Sequence, residues 1–203
     1  MSQDQIDTKQ SLICAATRLM WQKSYNLVSV DDICLEADVR KGSFYHYFKS
    51  KADLAVCLME HHYREYEPLL DEVFYSSKAP QKRFEEFSEK IFEVQTEMKA
   101  KSGCVFGALF VTLGLEMACE EEAVRTKASE ILGRYQIYYA TAIREMIDTN
   151  SLDEDARAKE IASTVHSFIV GQMILARINN SLDTILDDLN YGIRRIIRSE
   201  IAD

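Results

Sequence analysis

Val39 to Lys51 read VRKGSFYHYFKSK, a segment too short to be a core helix, yet one that concentrates cations, a glycine, hydroxyls, aromatic rings and a histidine. It follows an apolar helical turn, Val30 to Ala37 (VDDICLEA), with only Asp38 and Val39 between. A short helix, a tight turn and a second short helix with a polar, basic start make a helix-turn-helix. In that motif the second helix enters the major groove of DNA and its N-terminal side chains meet base edges.

Each residue of the segment has a part to play on a duplex, where base-edge contacts specify and phosphate contacts set the register. Arg40 and Lys41 start the presumed reading helix, where a cation reaches guanine O6 and N7. Gly42 has no side chain to hold the backbone off the DNA. Ser43 suits either a base or a phosphate. Tyr45, His46 and Tyr47 carry polar tips that match phosphate oxygens, and Lys49 and Lys51 stand at the start of the next helix. The N-terminus of the preceding helix, at Ser29 and Val30, offers N–H groups to a phosphate. Phe44 and Phe48, four apart, read as core anchors.

The rest of the chain frames that segment. Its 203 residues are 47% hydrophobic, with two prolines and seven glycines. That composition suits a folded protein of long helices and argues against a turn-rich β fold. The net charge is −9, but residues 1–51 carry 7 Lys and Arg against 6 Asp and Glu, while the remainder carries 17 against 27. Only the N-terminal part is fit to face DNA. The five cysteines, at 14, 34, 57, 104 and 119, do not resemble a disulfide framework. A reducing cytoplasm is the expected location. The polar start MSQDQIDTKQ is not a signal peptide, and the uncharged run Ser102 to Leu115 is shorter than the roughly 20 residues a spanning helix needs. No membrane association is expected.

Helical periodicity predicts an all-α fold of about nine helices: residues 5–23, a second capped by Ser29, the reading helix, and a fourth from Ser50 that Pro68 bends or breaks. A fifth follows from Pro80, a sixth over 102–118 and a seventh over 120–148. After a turn at Asn150-Ser151, an eighth runs over 153–179 and a ninth over 182–201. The division expected is a three-helix DNA-binding domain at 6–66 and a helical ligand-sensing and dimerisation domain at 67–203. The last two helices each carry a broad apolar face, Ile161, Val165, Phe168, Ile169, Met173 and Ile174 on one and Ile185, Leu186, Leu189, Ile193, Ile196 and Ile197 on the other. Two copies packed as a four-helix bundle would cover more of them than one copy can; the alternative is that both faces pack on the core of the same chain.

In the larger part, Cys104 is the candidate sensor. With Ser102 as N-cap it would sit at a helix N-terminus, near Lys99 and Lys101, where a thiolate is favoured; the alternative is a packed core cysteine. Phe106 and Phe110 lie beside it in a run with Gly103, Gly107 and Gly114, whose missing side chains leave room for a ligand or for close helix contact. Tyr135, Tyr138 and Tyr139 line either a pocket, with Phe84, Phe87 and Phe92, or plain core. His61-His62 point about 100° apart on a helix and make no metal site. No cofactor is expected.

The pattern V-x-K-G-S-F-Y-H-Y-F-x-S-K-x-x-L, as Val39 to Leu54, resembles the signature of TetR-family transcriptional regulators. That resemblance implies an all-helical homodimer with an N-terminal DNA-binding domain and a divergent C-terminal domain that binds a ligand and dimerises through the last two helices. It puts base contacts on Arg40, Lys41 and Gly42, and phosphate contacts on Tyr45, His46 and Lys51. The run Ser102-Gly103-Cys104 to Glu116 resembles the NemR-like subgroup, which senses electrophiles or oxidants through a cysteine. The function expected is a regulator, most simply a repressor, released from a palindromic operator by a small-molecule inducer or by modification of Cys104. A thiol-dependent enzyme and a helical adaptor without DNA binding are the alternatives.

Overall fold

A computed structural model describes residues 3–147 and 154–202 of the chain. They form nine helices: α1 Gln3–Gln22, α2 Val30–Glu36, α3 Lys41–Tyr47, α4 Lys51–Phe74, α5 Pro80–Ser102, α6 Leu109–Met117, α7 Glu122–Arg144, α8 Glu154–Asn179 and α9 Ile185–Ala202. There is no strand among the described residues. The turn expected at Asn150-Ser151 lies outside them.

The helices group into two compact units. The first comprises the chain up to Glu65 together with Leu109–Ile131, and the second comprises Tyr66–Ala108 with the chain from Leu132 onward. The expected linear division at 66/67 falls next to the first of these boundaries; α6 and the start of α7 join the first unit.

In the first unit α1, α2 and α3 pack on one another. Leu12, Ala16, Ile33, Phe44 and Leu54 are each fully buried, so Phe44 anchors α3 from beneath, with Phe48 at 3% exposure beside it. Gly114 of α6 permits close contact with α7, since a Cβ there would lie 2.8 Å from that of Ala128. In the second unit Phe74, Phe84, Phe87 and Tyr139 stack with ring centres 5.3–5.8 Å apart. These rings pack on one another in the core of the unit. Arg83, 6% exposed, pairs with both oxygens of Glu145 at 2.8 Å and also donates to the Lys78 and Phe74 carbonyls. A buried guanidinium with its donors satisfied this fully fastens three elements together.

Of the bend or break expected at Pro68 the break does not occur, and one helix boundary lies elsewhere than expected. α4 continues through Pro68, which is exposed and forgoes one backbone bond without ending the helix. The expected sixth helix at 102–118 is split: Ser102 is the last residue of α5, and Gly103, at φ 79, closes it with its N–H on the Lys99 carbonyl. Gly107 is also left-handed, at φ 69, and helix resumes only at Leu109. A glycine after a basic turn ends a helix because it takes the left-handed conformation at no steric cost. α8 is, from Arg157 to Asn179, long and apolar enough to cross a bilayer by length and composition. Its Ile161, Val165, Ile169 and Met173 are nonetheless buried within the chain.

Candidate nucleic-acid interface

The turn between α2 and α3 is a helix C-cap. Asp38 takes φ 53, and the N–H of Val39 reaches back to the Cys34 carbonyl at 2.9 Å. Aspartate is one of the few side chains that tolerate this conformation. The turn presents α3 with one face down on Phe44 and Phe48 and the other to solvent. Arg40, Lys41, Gly42, Tyr45, His46 and Lys49 are exposed, while Ser43 and Tyr47 are half-buried. Arg40 is the N-cap of α3 and makes no side-chain cap bond, so its guanidinium is not used inside the helix.

Three of the residues expected to contact DNA have partners within the unit. Lys41 is held by Asp31 at 2.7 Å, which raises its pKa and ties it to α2. Ser29 and Asp32 form a reciprocal cap: the Ser29 N–H donates to the Asp32 carboxylate at 2.8 Å and the Asp32 N–H to the Ser29 hydroxyl at 3.1 Å. The Ser29 hydroxyl, which donates to the same carboxylate at 2.6 Å, and after it the Ser29 N–H hold the Asp32 carboxyl below the usual carboxylate range. The Ser29 amide is therefore already engaged. Val30 and Asp31 keep N–H groups with no intrahelical partner, but two carboxylates stand beside them.

Lys51, also expected on a phosphate, is the most engaged of the three. Its Nζ donates to the carbonyls of Tyr25 and Val28, both at 2.9 Å, and lies 4.1 Å from the centre of the Tyr25 ring. Burial lowers its pKa, with Glu121 acting in the opposite sense. The ammonium bridges carbonyls of the α1–α2 loop. The same loop is held from α6, where Glu116 accepts from the Tyr25 N–H at 2.7 Å. Burial and nearby Glu121 and Glu120 push the Tyr25 hydroxyl up to about 12. Sequence reading missed this loop clamp because its members lie in separate helices. Arg40 and Lys49 are exposed and form no ion pair among the described residues.

Of the expected sensor residues, Phe110 belongs to the first unit and Cys104, Phe106, Tyr135 and Tyr138 to the second. Cys104 lies not at a helix N-terminus but in a bridge between α5 and α6, just past the C-terminal end of α5, so the dipole argument for its reactivity does not hold. Its thiol is exposed. The bridge is pinned around it: Asn180 donates to the Gly103 carbonyl at 3.0 Å and accepts from the Val105 N–H at 2.8 Å. Gln95 binds Gly107 through both its amide atoms at 3.1 Å, and Arg177 donates to the Phe106 carbonyl. Phe106 is half-buried in that bridge, whereas Phe110 is buried in the first unit. Tyr138 commits its hydroxyl to Asp71 at 2.6 Å, while Tyr135 faces His166 at 6.0 Å. No His, Cys, Asp and Glu cluster fit for a metal occurs among the described residues.

A reading helix carried on a capped turn, exposed at its basic N-terminus and anchored by phenylalanines, defines a helix-turn-helix DNA-binding protein. Residues 12–56 match the bacterial regulatory proteins of the tetR family, and residues 80–188 match the LmrA/YxaF-like transcriptional regulator C-terminal domain. The chain is 35% identical over 147 residues to the transcriptional regulator AcuR of Cereibacter sphaeroides, covering 72% of this chain and 65% of that protein. It superposes on the crystal structure of regulatory protein TetR from Rhodobacter sphaeroides with a TM-score of 0.73 at 31% identity, over 93% of this chain and 96% of that one. It shares its fold with the reduced form of E. coli NemR at a TM-score of 0.76 and 22% identity, over 94% and 97% of the two chains. The chain belongs to the TetR family, a family of transcriptional regulators rather than of enzymes, and is a DNA-binding transcriptional regulator.

Proposed function

We propose that the protein is a cytoplasmic homodimeric repressor that holds a near-palindromic operator and leaves it when an inducer binds or Cys104 is modified. The observation that carries this reading is the exposed face of α3, with Arg40 and Gly42 at its start and Tyr45, His46 and Lys49 further along, over a fully buried Phe44. Two such helices in a dimer meet successive major grooves about 34–36 Å apart. The partner chain is met through α8 and α9. These helices pack on each other and still leave Leu175, Ile178 and Tyr191 exposed at 51%, 72% and 66%. Phe168 and Gly192 border a furrow on the same face.

Release follows if the inducer binds better to a state in which the reading helices no longer match the groove spacing. An exposed thiol in a bridge pinned by Asn180, Gln95 and Arg177 is one input: an adduct on Cys104 strains contacts made by α5 and α8. The test is operator binding in a gel-shift assay with and without a thiol-reactive electrophile. Wild type should lose the operator on treatment, and Cys104→Ser should bind equally well and resist release. Equal release of both proteins would remove Cys104 from the mechanism and leave a non-covalent inducer.

A further inference from the structure

The second unit holds a cleft that the interface and the cysteine do not use. It lies between the start of α5 and α9, with Met146 at one side, and has a volume of about 240 Å³. Phe84, Met146, Ile193 and Ile197 give it carbon walls. At roughly 30 Å³ per water molecule the space equals about eight waters, the bulk of an alkyl chain of six to eight carbons. The polar groups sit together along α9. Oδ1 of Asn190 is buried with no hydrogen-bond partner, and such an amide turns over to present either its oxygen or its NH₂. Arg194 reaches Glu85 only at 3.7 Å. Glu85 is already bound by Lys82 at 2.6 Å and Gln81 at 3.3 Å, and these contacts, Lys82 foremost, hold its carboxyl below the usual range. Arg198 is exposed and forms no ion pair among the described residues. With Glu85 neutralised by Lys82, the mouth of the cleft is positive.

We propose that this cleft binds a medium-chain carboxylate, its alkyl chain between Phe84, Met146, Ile193 and Ile197 and its head on Arg198 and Arg194, with the Asn190 amide turned to donate to it. A mostly apolar recess with a few convergent polar groups is the usual build of a small-molecule site, and a guanidinium meets a carboxylate through paired N–H donors. Asn190, Ile193, Arg194, Ile197 and Arg198 recur three and four apart, on one stripe of α9. Tyr191 and Arg195 lie on another, so ligand and partner chain use different faces. The site concerns the free protein and does not rest on the DNA-binding reading.

The experiment is calorimetric titration of the full-length protein, without DNA, with sodium octanoate, 1-octanol and sodium acetate at neutral pH and below micelle formation. Octanoate should bind once per chain, octanol at least about tenfold more weakly, and acetate not at all. Arg198→Gln, at an exposed position that folding does not need, should weaken octanoate by about tenfold or more and leave octanol unchanged; Arg194→Gln is the second variant. The methyl resonances of Met146, Ile193 and Ile197 should shift in NMR spectra on adding octanoate. Equal affinity for octanoate and octanol, indifference to both arginine variants, shifts confined to other methyls, or no binding at all would each overturn the proposal.

Discussion

Lys51 shows how far a side chain's residue type underdetermines its role. By sequence it is a cation at the edge of a DNA-reading segment; in the fold its Nζ is spent on two carbonyls and a tyrosine ring. Lys49, two residues away, is exposed. Lys51→Met should therefore cost about 1–2 kcal/mol of stability, because two carbonyls lose a charged donor. Lys49→Gln should leave stability within about 0.5 kcal/mol and weaken DNA binding with a shallower salt dependence. Chemical denaturation and binding at several salt concentrations separate the two. His166 makes the same point in the core. It is 5% exposed beside Tyr135 and Tyr139, neither ring nitrogen has a partner, and burial lowers its pKa from 6.5 to about 4. Between those values the unfolded chain binds a proton that the folded chain refuses. Its contribution to stability is thus complete above the upper value and is lost as pH falls towards the lower one. Going from neutral pH to about pH 5, wild type should lose about 2 kcal/mol more than His166→Phe, measured by urea unfolding at both pH values. Equal losses would show that His166 does not titrate this way.

At the scale of elements, the helix-turn-helix was legible because its determinants are local. Ser29 and Asp32 cap α2 reciprocally, at α4 the Asp53 N–H donates to the Ser50 hydroxyl while the Asp53 carboxylate accepts from the Lys49 N–H, and the spacing of Phe44 and Phe48 sets the buried side of α3. The turn itself depends on Asp38 at φ 53. Asp38→Val should cost about 1–2 kcal/mol, since a β-branched residue resists the left-handed region, and Asp38→Gly should be tolerated; thermal unfolding of the two variants checks this. The α5–α6 boundary was not legible. From Ser102 to Leu115 the sequence is uncharged and mostly apolar, so periodicity offered no break, and Gly103 reads equally as the start of one helix or the end of another. The bonds of Asn180, Arg177 and Gln95 decide it, the first two made across 75 and 71 residues and the third across 12, and no local pattern announces such partners. The same limit hid the clamp of Lys51 and Glu116 on the α1–α2 loop and the cleft between α5 and α9.

At the scale of the whole molecule, charge and symmetry set what the protein does with its reading helix. A chain of net charge −9 approaches DNA only through the part in which cations balance carboxylates. Several of those cations are engaged internally, so affinity rests on a small exposed set and on having two copies of it. The apolar surface left on α8 and α9 is the proposed means of bringing the second copy. The most direct test is selection of bound duplexes from a random-sequence pool at a fixed salt concentration, run in parallel with wild type and Tyr45→Ala. Wild type should enrich two inverted half-sites, centred about 10 base pairs or a multiple apart, and the variant should show a marked loss. No enriched sequence with wild type, or the same enrichment with the variant, would contradict the claim that α3 reads an operator.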